Sequence, residues 1–424
     1  MAEDVKLGPF TAGLNNKDKA EGGPADALLE AVNVDLDAQG WPQLRRGYTV
    51  HVAGTAHSLF NLNGMLAGYV DGALKVYRLT ADGLQLEATL LTGLADRFIT
   101  TTSDDFDTWY SNGVIHGRIA EDLSLHPFWP GTPNPVTLTA SASGALAAGQ
   151  YEVSVTVLDL DGRESAASPP VCITLTAGQG IAVTLPAAPE GAVSWKVYVS
   201  PPNGDVLYRC ALLPANATSY AIGAHQAGEP LETQWMSVMP PATTLRIGHN
   251  RMLTLQGNVL RFSPPYRFGL VEDTANIILG LDARMAEPVG EGSESAGWWV
   301  SDHRRTYFMG GADPATWRQT VRYQHPAVPG TSCVVDGFAY APEMTEPVAY
   351  WMAANGTPCF GLPGGQLAPQ REATLALPTD AERGTSALML FDGIRQILTM
   401  TLGGATNRAA VSDSADATIR RRTA

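Results

Sequence analysis

Apolar and polar positions along this chain alternate in short runs and hardly ever fall into a helical period. Met65-Leu-Ala-Gly-Tyr-Val70, Ala73-Leu-Lys-Val-Tyr77, Ser386-Ala-Leu-Met-Leu-Phe391 and Ile394-Arg-Gln-Ile-Leu-Thr399 are representative. A period of two puts successive side chains on opposite faces, so each run predicts a strand. Nine dipeptides punctuate such runs: Asn63-Gly64, Asp71-Gly72, Asp82-Gly83, Asn112-Gly113, Asp161-Gly162, Asn203-Gly204, Asp336-Gly337, Asn355-Gly356 and Asp392-Gly393. Type I′ turns need positive φ at both central residues, which Asn, Asp and Gly tolerate, so each pair predicts a hairpin. The nearest thing to a helix is Ala25-Asp-Ala-Leu-Leu-Glu-Ala31, one or two turns at most. The fold class expected is all-β.

The texture changes in the middle. From Pro130-Gly-Thr-Pro-Asn-Pro135 to about Glu232 the chain is poor in charge and rich in Thr, Val, Ala and Ser, and Met239-Pro-Pro241 closes the segment. Proline-rich borders of this kind mark domain joints. Inside, Tyr151, Val153, Val155 and Val157 face one way while Glu152, Ser154 and Thr156 face the other. With Val171-Cys-Ile-Thr-Leu175, Ile181-Ala-Val-Thr-Leu185 and Trp195-Lys-Val-Tyr-Val199, this predicts an immunoglobulin- or fibronectin III-like sandwich. The flanks share short strands, Gly turns and aromatic closings such as Trp109-Tyr110, Trp298-Trp299, Tyr307-Phe308 and Tyr350-Trp351. Four-stranded units of ~40–50 residues would number about six in the flanks, the arithmetic of a β-propeller, with a large sandwich or barrel as competitor. The expected division is 1–132 for the first part of the propeller, 133–238 for the insert, 239–410 for the remainder and 411–424 for a C-terminal tail.

Composition narrows the functions. The 424 residues carry 28 Lys and Arg against 42 Asp and Glu, a formal charge of −14, and 45% of them are hydrophobic. That is enough apolar content for real cores, and it excludes disorder as the main state. Only five cations are Lys (Lys6, Lys17, Lys19, Lys75, Lys196), which speaks against a polybasic surface that wraps DNA. Four scattered cysteines (Cys172, Cys210, Cys333, Cys359) make no CxxC pair and point to a reducing compartment. The spacing of Cys172 and Cys210 does not match an immunoglobulin pair around a Trp. Met1-Ala-Glu-Asp-Val-Lys6 does not read as a secretory signal, and no apolar run is long enough to span a membrane, so synthesis in a cytoplasm is expected.

Candidate chemistry thins out on inspection. Asp35-Leu-Asp-Ala-Gln-Gly40 begins like a calcium loop, but Arg46 stands where a bidentate Glu is required. Ser103-Asp-Asp-Phe-Asp-Thr-Trp109 faintly resembles an Asp-box, one residue short and without its central Gly, and reads as a turn that sends Trp109 into a core. Asp302-His-Arg-Arg-Thr306 mixes an acid, a base and two cations, yet reads as a turn between two aromatic strands. There is no HExxH, no GxSxG and no phosphate-binding loop, so no catalytic residue, cofactor site or metal site is assigned.

Gly13-Leu-Asn-Asn16, Ala31-Val-Asn-Val-Asp-Leu-Asp37 and Gly40-Trp-Pro-Gln-Leu-Arg-Arg-Gly-Tyr48 together resemble a pattern of tailed-bacteriophage virion proteins. Thr108-Trp-Tyr-Ser-Asn-Gly113 is similar to an aromatic strand of that class, and Phe128-Trp-Pro-Gly-Thr-Pro133 to its exit into an inserted module. Ala148–Val157 and Asp161–Pro170 resemble a fibronectin-type module, while Gly257–Pro264 and Gly310–Pro314 resemble returning blades. The family implied is the tail nozzle or hub proteins of short-tailed phages. That resemblance implies a ring, expected as a hexamer, in the virion tail, which extends the DNA-ejection channel below portal and adaptor and adjoins fibres or spikes. DNA would pass without specific binding, since an acidic or neutral wall does not hold phosphates. In that setting Arg45 and Arg46 are expected at an interface or in strand-end ion pairs, and Arg420, Arg421 and Arg422 in docking onto an acidic neighbour.

Two other functions compete. One is a carbohydrate- or receptor-binding tail protein whose exposed Trp298, Trp299, Trp317 and Trp351 stack on sugars. The other is a propeller-type glycosidase in which acids near Asp302 or Asp313 converge.

Overall fold

A computed structural model describes residues 8–15, 24, 26–32, 34–37, 39–44, 50–104, 106–225, 228–370, 381–391, 394–402 and 418–421. Among them the chain is all-β, with only three short 3₁₀ turns. No helix in the described residues is long and apolar enough to cross a membrane. The chain divides into two compact units, Gly54–Gly280 on its own and Met1–Ala53 with Leu281–Ala424.

The Gly54–Gly280 unit opens with two four-stranded antiparallel meanders. The first joins Ala56–Leu62, Met65–Val70, Ala73–Thr80 and Gly83–Leu91, and the second joins Thr100–Ser103, Thr108–Ser111, His116–Ile119 and Leu125–His126. Asn63-Gly64 and Asp71-Gly72 are two-residue turns with φ of 51° and 79°, and 49° and 80°. Both meet the I′ requirement. Elsewhere the dipeptides serve differently. Asp82 turns with Ala81 while Gly83 pairs with Thr80, and Asn112 accepts the N–H groups of Val114 and Ile115 to close a longer loop.

The middle segment forms two sheets around one core. Thr137–Leu146, Gln179–Thr184 and Ser219–Ile222 make one, and Gly149–Leu158 at the centre of Val171–Leu175, Ser194–Val199 and Tyr208–Pro214 makes the other. Tyr151, Val153, Val155 and Val157 pack there with Trp195, Val197, Ile181 and Val183. Ser154 and Thr156 do face away, but they are dry. Ser154 donates to the Ser168 carbonyl at 2.7 Å, and Thr156 to the Glu164 carboxylate at 2.8 Å. After the sandwich, Met236–Val238 pairs with Leu270–Glu272, and a third meander joins Thr244–Gly248, Arg251–Gln256, Val259–Phe262 and Asn276–Ile278.

The second unit contains two more four-stranded meanders. One joins Ala283–Val289, Gly297–Asp302, Thr306–Gly310 and Gln319–Tyr323, the other Cys333–Val335, Val348–Met352, Pro358–Gly361 and Leu367–Pro369. Arg383–Phe391 and Ile394–Leu402 form a hairpin, with Asp392-Gly393 outside the described residues. The Ala25–Ala31 segment expected to be helical is instead the strand Ala27–Val32. Gly13–Leu14 pairs with one of its edges in parallel and Thr418–Arg421 with the other in antiparallel, so both edges find partners and Leu28 is buried. Asp336-Gly337, expected as a hairpin, starts a 3₁₀ turn. The Asp336 carboxylate accepts the Phe338 N–H at 3.1 Å, and a Cβ on Gly337 would lie 2.3 Å from the Glu346 carbonyl.

Candidate functional site

The most elaborate side-chain arrangement joins the sandwich to the second meander. Arg118, on His116–Ile119, is only 3% exposed and uses every arm of its fork. Nη1 meets Asp107 at 2.7 Å and Asp161 at 3.5 Å, Nη2 meets Asp159 at 3.2 Å, and Nε donates to the Pro127 carbonyl at 3.0 Å. The guanidinium also lies 5.5 Å from the centre of the Trp109 ring. Arg163 adds a second cation, bonding Asp107 at 2.5 Å and Asp161 more closely still. Asp159 in turn holds its own hairpin, accepting the N–H groups of Asp161 and Arg163. This explains why Asp159-Leu-Asp-Gly-Arg163 carries two acids and one Arg in five positions. The Asp side chains shape the turn and at the same time receive a guanidinium from the neighbouring sheet.

Next to this joint the segment 164–168 runs along the sandwich sheet. Glu164 accepts from Lys196 at 2.7 Å, Tyr198 at 2.6 Å and Thr156 at 2.8 Å. Burial would raise its carboxyl, but these donors outweigh it and hold the group below its ordinary range. Burial and the Glu164 carboxylate push the Tyr198 phenol up. Trp129 donates to the Glu164 carbonyl at 2.8 Å, and Ala166 enters the same core as Trp109, Phe128 and Trp129. A cleft of about 480 Å³ opens beside the joint, lined by Asp107, Arg118, Asp122, Ser124, His126, Asp161 and Glu190. Ser124 holds the Asp122 carboxyl below its ordinary range by a hydroxyl bond of 2.5 Å and an N–H bond of 2.9 Å. Among the described residues no three His, Cys, Asp or Glu side chains are grouped to hold a metal ion.

The residues singled out in the sequence fall in various places. Arg45, Arg46 and Arg422 lie outside the described residues, while Arg420 and Arg421 belong to the strand paired with Ala27–Val32. Trp298, Trp299, Trp317 and Trp351 are all buried, so none offers a sugar platform. Asp302 is buried at its turn, accepting the N–H groups of Arg304 at 2.6 Å and Arg305 at 2.9 Å and the Tyr307 hydroxyl at 2.7 Å. Burial opposes its ionisation, yet these bonds keep the carboxyl below its usual range, and burial with the Asp302 contact pushes the Tyr307 phenol up to about 12. Asp313 caps a 3₁₀ turn by accepting the Ala315 N–H at 3.0 Å. Asp104 caps its turn likewise, and Trp109 is buried as expected. Asp37 accepts the N–H groups of Gln39 and Trp41, the work of a turn residue. Cys172 and Cys210 are free thiols, the latter pushed up to about 12 by burial.

Two arrangements escaped the sequence. His57 lies 2.8 Å from Ser58 Oγ through Nδ1 and 2.8 Å from Asp96 Oδ1 through Nε2. The Ser58 hydroxyl also accepts the Ile99 N–H, and the His57 ring stacks on Tyr69 at 4.1 Å, so the trio braces a bulge at which Ser58 has φ of 55°. No sequence signal links positions 39 residues apart. The second is a pair of exposed aromatics, Trp235 at 71% and Tyr266 at 70%, on turns where the chain has positive φ.

No protein-family model matches the chain, and no curated protein is similar to it. Among solved structures it is similar to AztD of Citrobacter koseri, at 12% identity and a TM-score of 0.30, with 89% of this chain and 98% of that one covered. It is also similar to the extracellular domain of BT4673 of B. thetaiotaomicron, at 8% identity and a TM-score of 0.22, over 88% of this chain and 63% of that one. Hsv2 of Kluyveromyces lactis matches at 8% identity and a TM-score of 0.19, over 82% and 98% of the two chains.

Proposed function

We propose that the chain is a structural protein of a bacteriophage tail, of the nozzle or hub type. In this reading the five four-stranded meanders and the strands near the two ends make up a six-bladed β-propeller, interrupted by an immunoglobulin- or fibronectin III-like sandwich. Six copies close a ring that continues the DNA-ejection channel below the portal and adaptor.

The observation that carries the proposal is the Arg118 joint. A receptor-binding module on a mobile arm would be joined by an exposed linker, whereas here a buried guanidinium with a partner at each of its nitrogens fixes the sandwich to the meander from which it emerges. A part that has to keep its shape while DNA is driven past it needs that stiffness. The charge of −14 supports the same reading, because an acidic wall does not retain phosphates. Heterologous contacts between neighbouring copies would close the ring.

The test is the mass of the full chain by light scattering, alone and after addition of purified adaptor or portal rings. A closed oligomer, or a monomer that forms one on its partner ring, is the expected result. A chain that stays monomeric in both conditions overturns the proposal.

A further inference from the structure

A cavity of about 410 Å³ lies between the first two meanders of the Gly54–Gly280 unit. One wall is the turn between Ala56–Leu62 and Met65–Val70, with Asn61 and Asn63, and the other is the turn between Thr100–Ser103 and Thr108–Ser111, with Asp104 and Phe106. Both walls are braced. Asn61 Oδ1 accepts the Gly64 N–H at 2.9 Å, and Asn63 Nδ2 reaches across to the Glu121 carbonyl of the second meander at 3.4 Å. Asp104 Oδ1 accepts the N–H groups of Phe106 at 2.9 Å and Asp107 at 2.7 Å, and the Asp104 N–H bonds the Asp107 carbonyl at 3.1 Å. The volume is that of a ligand pocket, ~300–1,000 Å³.

Several polar groups on these walls keep unused valences. Among the described residues Asn61 Nδ2 has no acceptor and Asn63 Oδ1 no donor. The Ser103 and Thr108 hydroxyls, 3.0 Å apart, need only one of their two protons for each other. Asp107 is only 7% exposed, and the guanidiniums of Arg118 and Arg163 both bond its Oδ2, which leaves Oδ1 without a donor. Buried polar atoms ordinarily have partners. Phe106, on the same cavity, is 76% exposed. A lone exposed Phe is commonplace, but this one supplies the aromatic face of a cavity whose other side chains are free amide, hydroxyl and carboxylate groups. Such a lining matches a ligand with C–H faces and many hydroxyls. We propose that Asn61, Asn63, Phe106 and Asp107 form a binding site for a neutral saccharide. Phe106 stacks on a sugar ring, Asn61 donates to a hydroxyl oxygen, and Asn63 and Asp107 accept from hydroxyl groups.

Charge and polarity argue against other ligands. Of the residues that line the cavity only Asp104 and Asp107 are charged, and none is Lys or Arg. Arg118 and Arg163 stand behind Asp107, where three carboxylates, Asp107, Asp159 and Asp161, more than match the two guanidiniums. Phosphates and acidic sugars are therefore repelled. A cation would find little beyond Asp107 Oδ1, since Asp104 Oδ1 already holds two N–H groups and its Oδ2 faces the Trp109 indole N–H at 3.4 Å. A purely apolar ligand would take water from the two Asn side chains and return no hydrogen bond. The cavity belongs to one unit, so this inference does not depend on the ring.

The experiment screens the full chain against an array of neutral oligosaccharides and titrates lactose, maltose, cellobiose and diacetylchitobiose by calorimetry, with sialyllactose as the acidic probe and glucosamine as the cationic one. At least one neutral saccharide should bind, and more tightly than either charged probe. Phe106→Ala should weaken that binding by about tenfold or more, the loss of an apolar face. Asn61→Asp keeps the acceptor for the Gly64 N–H and removes the donor, and should weaken it by about two- to tenfold. Both variants should melt with the wild type, which separates lost binding from lost folding. The site is overturned if the wild type binds no neutral saccharide, if both variants bind undiminished, or if sialyllactose or glucosamine binds best. It is overturned equally if either variant melts well below the wild type, which would give the side chain to the fold, or loses oligomer mass, which would make the cavity a subunit contact. The wild-type mass, measured in the same experiment, reports separately on the ring.

Discussion

Arg118 and Asp107 meet at 2.7 Å with both side chains almost wholly removed from water, each supplied by a different strand or turn of the same meander. The pair does not stand alone, since Asp159 and Asp161 bring the sandwich hairpin onto the same guanidinium. Removing one partner from such a group leaves uncompensated buried charge, which costs about 3–5 kcal/mol. Arg118→Met should therefore destabilise the chain by about that amount in urea unfolding. Arg118→Lys should recover little, because a single ammonium cannot reach the Pro127 carbonyl, Asp107 and Asp159 together. Full stability in the Lys variant would show that charge alone, and not the fork, makes the joint.

The acid limb of stability follows from two carboxyls. Glu164 and Asp302 are both held below their ordinary range in the folded chain, by Lys196, Tyr198 and Thr156 in one case and by Tyr307 and two N–H groups in the other. A depressed folded value means stability that is present above the unfolded value, about 4 for these groups, and lost as the pH falls through the folded one. Urea midpoints should hold steady from about pH 7 to 5 and fall below about 4. Glu164→Gln should flatten that limb, and an unchanged limb in the variant would place the titration elsewhere.

How far the sequence foretold these features depended on whether their cause was local. Asn63-Gly64 and Asp71-Gly72 carry their turn type in their own two residues, and the structure has both. Ala27–Val32 reads as helical because its alternation is faint. It is a strand only through partners near the two ends of the chain, which no window of seven residues contains. Ser154 and Thr156 were placed on the correct face, but that Glu164 covers that face is a tertiary fact. The Arg118 joint is invisible for the same reason, its partners in the sandwich, Asp159 and Asp161, being 41 and 43 residues away. Trp235 and Tyr266 carry no mark at all, because positive φ at an aromatic is imposed by the turn and not announced by the residue.

Packing against glycine gives a sharper prediction in the second unit. The Trp299 indole rests on Gly361, where an added Cβ would lie 2.5 Å from Cε2 and Nε1. The ring cannot retreat. It packs against Trp351 at 5.4 Å and Phe308 at 5.3 Å and donates to the Leu362 carbonyl at 3.2 Å. Gly361→Ala should cost about 1–3 kcal/mol, the usual penalty of overpacking a core. Gly280→Ala, where a Cβ meets nothing within 4 Å, should stay within about 0.5 kcal/mol of wild type. Thermal melts of the two variants side by side make the comparison.

The strand Thr418–Arg421 allows assembly to be separated from folding. Its backbone pairs with Ala27–Val32, Ile419 opposite Ala31 and Arg420 opposite Glu30, and ladder hydrogen bonds depend on the main chain and not on charge. Replacing Arg420, Arg421 and Arg422 by Glu should therefore lower the melting temperature only slightly, the main cost being about 0.2–1 kcal/mol for the like charges that Arg420→Glu sets opposite Glu30. Under the ring proposal it should also weaken docking onto an acidic adaptor, which co-sedimentation with adaptor rings would measure. Deleting 418–424 removes the ladder itself, at on the order of 0.5–1.5 kcal/mol for each hydrogen bond lost. It also bares an edge of Ala27–Val32, an invitation to pair with another chain. The deletion should lower the melting temperature and raise aggregation whether or not adaptor is present. If charge reversal destabilised the chain as much as deletion, the three arginines would be serving the fold and not a neighbour. If it changed neither melting nor docking, their proposed role at the ring contact would fall while the strand pairing stood.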